Sequence, residues 1–144
     1  MIENDTLRLL RECDAGIKMG VSAINDVVDS VTDSALRDML VSGRRRHKQL
    51  EEDIDKLLKK YDSKGKAPNP VAQSFSRMKT NIKMSLAPSD EAIADIMTDG
   101  CNMGIKSLSR YLNMYAAADE RSKSITKQLI SLEENILEDM RSFL

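Results

Sequence analysis

Histidine occurs once in this chain and tryptophan not at all, and aromatic residues make up only 3% of its 144 positions. So few aromatics argue against single-stranded nucleic-acid binding, which relies on aromatic stacking platforms. An excess of one charge is also missing. The 22 Lys and Arg against 23 Asp and Glu leave a formal net charge of -1, so no global basic field recruits DNA or anionic lipid. No apolar run approaches the roughly 20 residues needed to span a bilayer. Residues Met1 to Asp5 are acidic and lack the apolar core of a signal peptide, so the expected location is the cytoplasm. Cys13 and Cys101 are then expected to be reduced thiols. There is no C-x-x-C pair and no phosphate-binding glycine loop, and no Ser/His/Asp or Cys/His constellation can be placed.

What remains is a helical pattern. Leu, Ile, Val and nine Met must fill the core. Leu36, Leu40, Gly43, His47, Leu50, Ile54 and Leu57 recur at alternating steps of four and three, the period of a helix laying one seam against partners. Gly43 and His47 are the unusual members of that seam. An earlier helix is expected from about residue 3 to about residue 29, with Leu7, Leu10, Ile17, Val21, Ile24 and Val28 inward. The same spacing places Asp14 on the seam, or Cys13 after a slight rotation. Asp29 to Ser34 is a polar break short enough to make an antiparallel hairpin with the helix running to about Tyr61.

The segment Asp62 to Pro70 carries Gly65, Pro68 and Pro70 and ends this hairpin. A shorter helix is expected at about residues 70 to 85, with Val71, Phe75, Met78 and Ile82 on one face. After Pro88, Ser89 or Asp90 can cap a third long helix reaching about Ala117, with Ile93, Met97, Cys101, Ile105, Leu108, Leu112 and Tyr115 inward. The turn at residues 116 to 120 has no strong breaker. A last helix carries Ile125, Leu129, Leu132, Ile136 and Met140.

The two hairpins look duplicated. Cys13-Asp14-Ala15-Gly16-Ile17-Lys18 matches Cys101-Asn102-Met103-Gly104-Ile105-Lys106 as C-x-x-G-I-K, each copy midway along the first helix of its hairpin. A helix of ~27 residues is ~40 Å long, and the connector is too long for a turn between neighbours. The expected fold is therefore all-α: an up-down four-helix bundle in one domain over residues 1 to 144. Hairpin 1 covers about 3 to 61, the crossover about 62 to 88 and hairpin 2 about 89 to 144.

In this arrangement the chain resembles the ferritin-like superfamily, in particular its small, uncharacterised bacterial branches. Catalytic members hold two irons or manganeses with a Glu from each of two helices and a Glu-x-x-His from each of the other two. The match here is degenerate. Arg44-x-x-His47 puts arginine where a carboxylate belongs, Glu133 and Glu134 are followed three residues on by Ile136 and Leu137, and Glu12 or Asp14 and Asp99 are the nearest matches on the remaining helices. A cation beside paired divalent ions opposes their binding. With these departures the expected reading is a scaffold without oxidase chemistry or cofactor, in a non-catalytic structural or protein-interaction role with self-association, while composition argues against nucleic acid and membrane. One alternative is a degenerate site for iron, manganese or zinc using His47 with Glu12, Asp14, Glu133 or Glu134. A second is a small-molecule carrier with a mid-bundle pocket at Gly16, Gly20, Gly43, His47 and Gly104. Helical counting brings Asp14 within a turn of His47 and suggests a hydrogen bond between them. Arg44-Arg45-Arg46-His47-Lys48 points around more than one turn and is followed by Glu51, Glu52, Asp53 and Asp55, so it reads as a solvated face with cross-helix ion pairs.

Overall fold

The structure is a computed structural model, and it describes residues 2–61 and 88–144. The expected crossover helix with Val71, Phe75, Met78 and Ile82 lies outside the described residues. The described chain is all-helical: α1 spans Ile2–Val27, α2 Ser34–Lys60, α3 Asp90–Met114 and α4 Glu120–Met140, with single 3-10 turns at Val28–Ser30 and Arg141–Phe143. Among the described residues there is no strand.

Three of the four long helices start on a capping side chain. Asp33 accepts from the Leu36 amide at 3.0 Å, Ser89 from Ala92 at 3.1 Å and Asp119 from Ser122 at 2.8 Å, each satisfying an amide that has no partner within the helix. Lys59 and Lys60 in the last turn of α2, and Asp90 and Glu91 in the first turn of α3, complement the helix dipoles.

The core is aliphatic. Leu10, Ile17, Ile24, Leu36, Leu40, Ile54, Ile93 and Ile125 are fully buried, each contributing roughly 1.5–3 kcal/mol relative to exposure. The seam expected for α2 is buried throughout except at its last position, where Leu58 replaces the half-buried Leu57. On α1 the expected Leu7 and Val21 are only half-buried, and Leu9, Cys13 and Val27 join the core in their place. The reason is that α1 packs against α2, α3 and α4 at once, which widens its buried stripe. Cys13 and Asp14 are consequently both buried rather than one or the other. On α3, Ile105, Leu112 and Tyr115 are half-buried, while Ala94 and Ile96 are buried.

Helix packing runs α1 on α2, α2 on α4, α4 on α3 and α3 on α1. The ends are pinned by side chains. Asp90, at the start of α3, accepts from the Thr32 amide, the Thr32 hydroxyl and the Asp33 amide in the α1–α2 turn, at 2.9, 2.8 and 2.9 Å. At the other end, Thr6 accepts from the Asp119 amide at 2.8 Å and Asp5 from the Ala117 amide at 3.1 Å. These two bonds explain why α3 stops at Met114, short of the expected Ala117. The α3–α4 turn is held by groups on α1, so no local breaker is needed.

Candidate functional site

His47 sits on α2 with 1% of its surface exposed. Its Nδ1 is 2.7 Å from the Gly43 carbonyl oxygen, one turn back, and its Nε2 is 2.6 Å from Glu133 Oε1 on α4. A carbonyl can only accept, so Nδ1 carries a proton. When Glu133 is ionised it too can only accept, so the contact is a hydrogen bond only with a second proton on Nε2. The fully bonded pair then holds one proton more than a neutral imidazole facing a carboxylate. Burial pushes the imidazole's pKa down, but the hydrogen bond and charge of Glu133 and the Gly43 carbonyl outweigh it and leave it raised above the ordinary 6.5.

Glycines let the other helices close over this pair. A methyl group at Gly20 of α1 would lie 3.0 Å from His47 Nε2 and 3.2 Å from Cδ2, so backbone packs on the edge of the imidazole. At Gly104 of α3 it would lie 3.6 Å from the Glu133 carboxyl carbon, in ordinary contact. At Gly43 it would meet Ile136 Cδ1 at 3.0 Å. The centre where the four helices converge is filled by an ion pair, an isoleucine and bare backbone. Of the five residues suggested for a pocket, Gly20, Gly43, His47 and Gly104 surround this packed pair. Gly16 has nothing within 4 Å of a methyl position and is exposed. A groove of about 260 Å³ reaches Gly43 from the surface between α2 and α4, along Ser42, Arg46, Leu132, Asn135 and Ile136.

The carboxylate partner of His47 is Glu133 and not Asp14. Both ring nitrogens are already engaged, and Asp14, fully buried, accepts from Lys18 Nζ at 2.6 Å one turn along α1. That bond raises the Lys18 pKa, and the charge of Asp14 adds to burial in raising the pKa of Glu51 on α2. Arg44, the residue standing where a metal carboxylate was sought, donates to Asn25 Oδ1 on α1 at 2.6 Å. Glu12 is half-buried beside Cys13, Asp99 is half-buried on α3, and Glu134 is exposed on α4.

Cys101 and Cys13 are both buried free thiols facing α4. Burial raises the Cys101 pKa well above its ordinary value, and the charge and hydrogen bond of Glu133 raise it further. Burial pushes Cys13 up to about 11, against a 3.2 Å bond to the Thr126 hydroxyl. The network Cys101, Glu133, His47 contains the groups of a thiol nucleophile in an unproductive order. The carboxylate lies between thiol and imidazole, and it opposes the thiolate that nucleophilic chemistry requires.

The donors do not suit the two metals that the family resemblance implies. His47 Nε2 and Glu133 Oε1 face one another at 2.6 Å, which leaves no room for an ion between them. Among the described residues, no group of three or more His, Cys, Asp and Glu could hold a metal ion.

Glu133 was recognisable as a carboxylate in the right region but not as the histidine's partner. The signal for that pairing lies in the caps. Asp33 and Asp119 begin the second helices of the two hairpins 86 positions apart, and His47 and Glu133 are also 86 apart. The two residues occupy equivalent places in the two hairpins and meet face to face. Among the described residues, no helix is long and apolar enough to cross a membrane. Comparison with protein-family models, curated proteins and solved structures finds no match for the chain.

Proposed function

We propose that this chain is a ferritin-like bundle whose metal centre has been replaced by an ion pair, and that it works as a non-catalytic structural or protein-interaction module that self-associates. The direct 2.6 Å contact between His47 and Glu133 carries the reading. In a metal-binding relative of this architecture, an imidazole and a carboxylate from facing helices would bracket an ion; here they bracket a proton. The end contacts agree with a ferritin-like order of hairpins. Asp90 brings the start of α3 to the α1–α2 turn, the end of the bundle opposite to where α2 stops. The position of Arg44 against Asn25, away from the ion pair, leaves His47 without the neighbouring carboxylate of a Glu-x-x-His motif.

The test is metal titration by calorimetry of untagged protein with ferrous iron, manganese and zinc, together with elemental analysis of the protein as isolated. The expected result is no saturable site and no stoichiometric metal. Stoichiometric iron, manganese or zinc that disappears in His47→Gln overturns the reading in favour of the degenerate metal site.

A further inference from the structure

The ion pair lies directly beneath the seam between α2 and α4. Gly43, which accepts from the ring, and Leu132, next to Glu133 in the chain, both line the groove that opens there, together with Arg46 and Ile136. We propose that the His47–Glu133 pair is a proton-operated clasp on the α2–α4 seam: holding its proton it joins the two helices, and losing it releases them along this groove.

Geometry gives the clasp its dependence on the proton. Both ring nitrogens face acceptors, so removing either proton turns a donated bond into two lone pairs facing each other at 2.6 or 2.7 Å. A methyl group at Gly20 would lie 3.0 Å from Nε2 and 3.2 Å from Cδ2, so α1 closes on that edge of the ring. Water has little access to the ring itself, of which only 1% is exposed.

The charged and titratable groups around the ring act in both directions. From α4, Glu133 favours the protonated ring, and from α2 itself the charge of Arg46 opposes it while the Gly43 carbonyl supports it. From α3, Cys101 contributes a neutral thiol beside Glu133. From α1 the contact is Gly20, which brings no charge. The sum holds the imidazole pKa above 6.5. A group raised on folding stabilises the fold fully below its unfolded value and loses that contribution as pH rises through the folded value. The clasp is therefore closed below about pH 6.5 and opens on the alkaline side of it.

A single histidine makes the experiment unambiguous. The full chain is labelled with nitrogen-15, the two ring nitrogens are titrated by NMR from about pH 5.5 to about pH 9, and amide exchange is followed over the same range with the intrinsic pH dependence removed. The expected result is a ring whose midpoint lies above 6.5 and which carries both protons below that midpoint. Protection at Leu50, Leu132 and Ile136 should then fall through that same midpoint, by about tenfold for each pKa unit separating the folded ring from its ordinary value. In Glu133→Gln the midpoint should drop and the pH dependence of the seam should vanish. A wild-type ring that titrates at or below 6.5 overturns the proposal. So does a seam whose protection ignores the ring's titration, or a loss spread evenly over all four helices. The wild-type titration decides the matter even if the variant fails to fold.

Discussion

At the scale of single residues, the glycines separate close approach from mere tolerance. Gly16→Ala adds a methyl group into open space on a helix and is expected to raise stability by up to about 1 kcal/mol through helix propensity alone. Gly20→Ala presses a methyl group onto a ring bonded at both nitrogens. It is expected to lose about 1–3 kcal/mol, because the ring cannot move without breaking a bond. Gly43→Ala falls between them, since the tip of Ile136 can shift. Urea denaturation of the three variants checks the order. The thiols give a second residue-scale prediction. With Cys13 raised to about 11 and Cys101 also raised, neither should react with a disulfide reagent at pH 8 except when the bundle opens. Labelling rates should therefore fall together when the fold is stabilised, and rapid labelling of native protein would contradict their burial. His47 stood out in the sequence because an apolar seam rarely carries an imidazole. Its partner was misassigned to Asp14, because helical spacing fixes the face of one helix but not which neighbour that face meets.

At the scale of the helices, the caps were readable and the tertiary stops were not. Asp33 and Ser89 each precede an apolar repeat at the right distance, and both act as caps. α3 ends before the position its apolar spacing predicts, because its stop is supplied by Asp5 and Thr6, more than a hundred positions away. Asp90 is the clearest joint between elements, accepting three bonds from the α1–α2 turn. The amide of Thr32 lowers the Asp90 carboxyl pKa, with the Thr32 hydroxyl, the Asp33 amide and the charge of Arg37 acting the same way against a small burial cost. A depressed carboxyl stabilises the fold above its unfolded value of about 3.9 and loses that contribution as pH falls through the folded value. Asp90→Ala is therefore expected to cost about 1 kcal/mol at neutral pH, modest because the site is near solvent, and to remove part of the acid limb of the stability profile. Thermal melts at about pH 7 and about pH 3 measure both; an unchanged acid limb would show that the joint adds nothing.

At the scale of the whole molecule, four apolar stripes and one doubled motif were enough to read an all-α bundle. The order of packing around it was not legible, because every stripe has the same period. The duplicated C-x-x-G-I-K segments also turn out to occupy unlike surroundings. Gly104 packs on Glu133 while Gly16 faces open space, and Cys101 lies beside Glu133 while Cys13 meets Thr126. The surface keeps Met103 and Met114 exposed three turns apart on α3. If the module self-associates, sedimentation should show mass rising with concentration, and Met114→Glu should weaken the association about tenfold or more; a strict monomer at high concentration would remove self-association from the proposal.

The central claim is that a proton, and not a pair of ions, closes the middle of the bundle. Crystals of untagged protein grown with excess manganese, measured for anomalous scattering, test it directly. His47 Nε2 and Glu133 Oε1 should be in direct contact near 2.6 Å, with no anomalous peak between the helices. A peak ligated by His47 and Glu133, with the two side chains drawn apart around it, would contradict it.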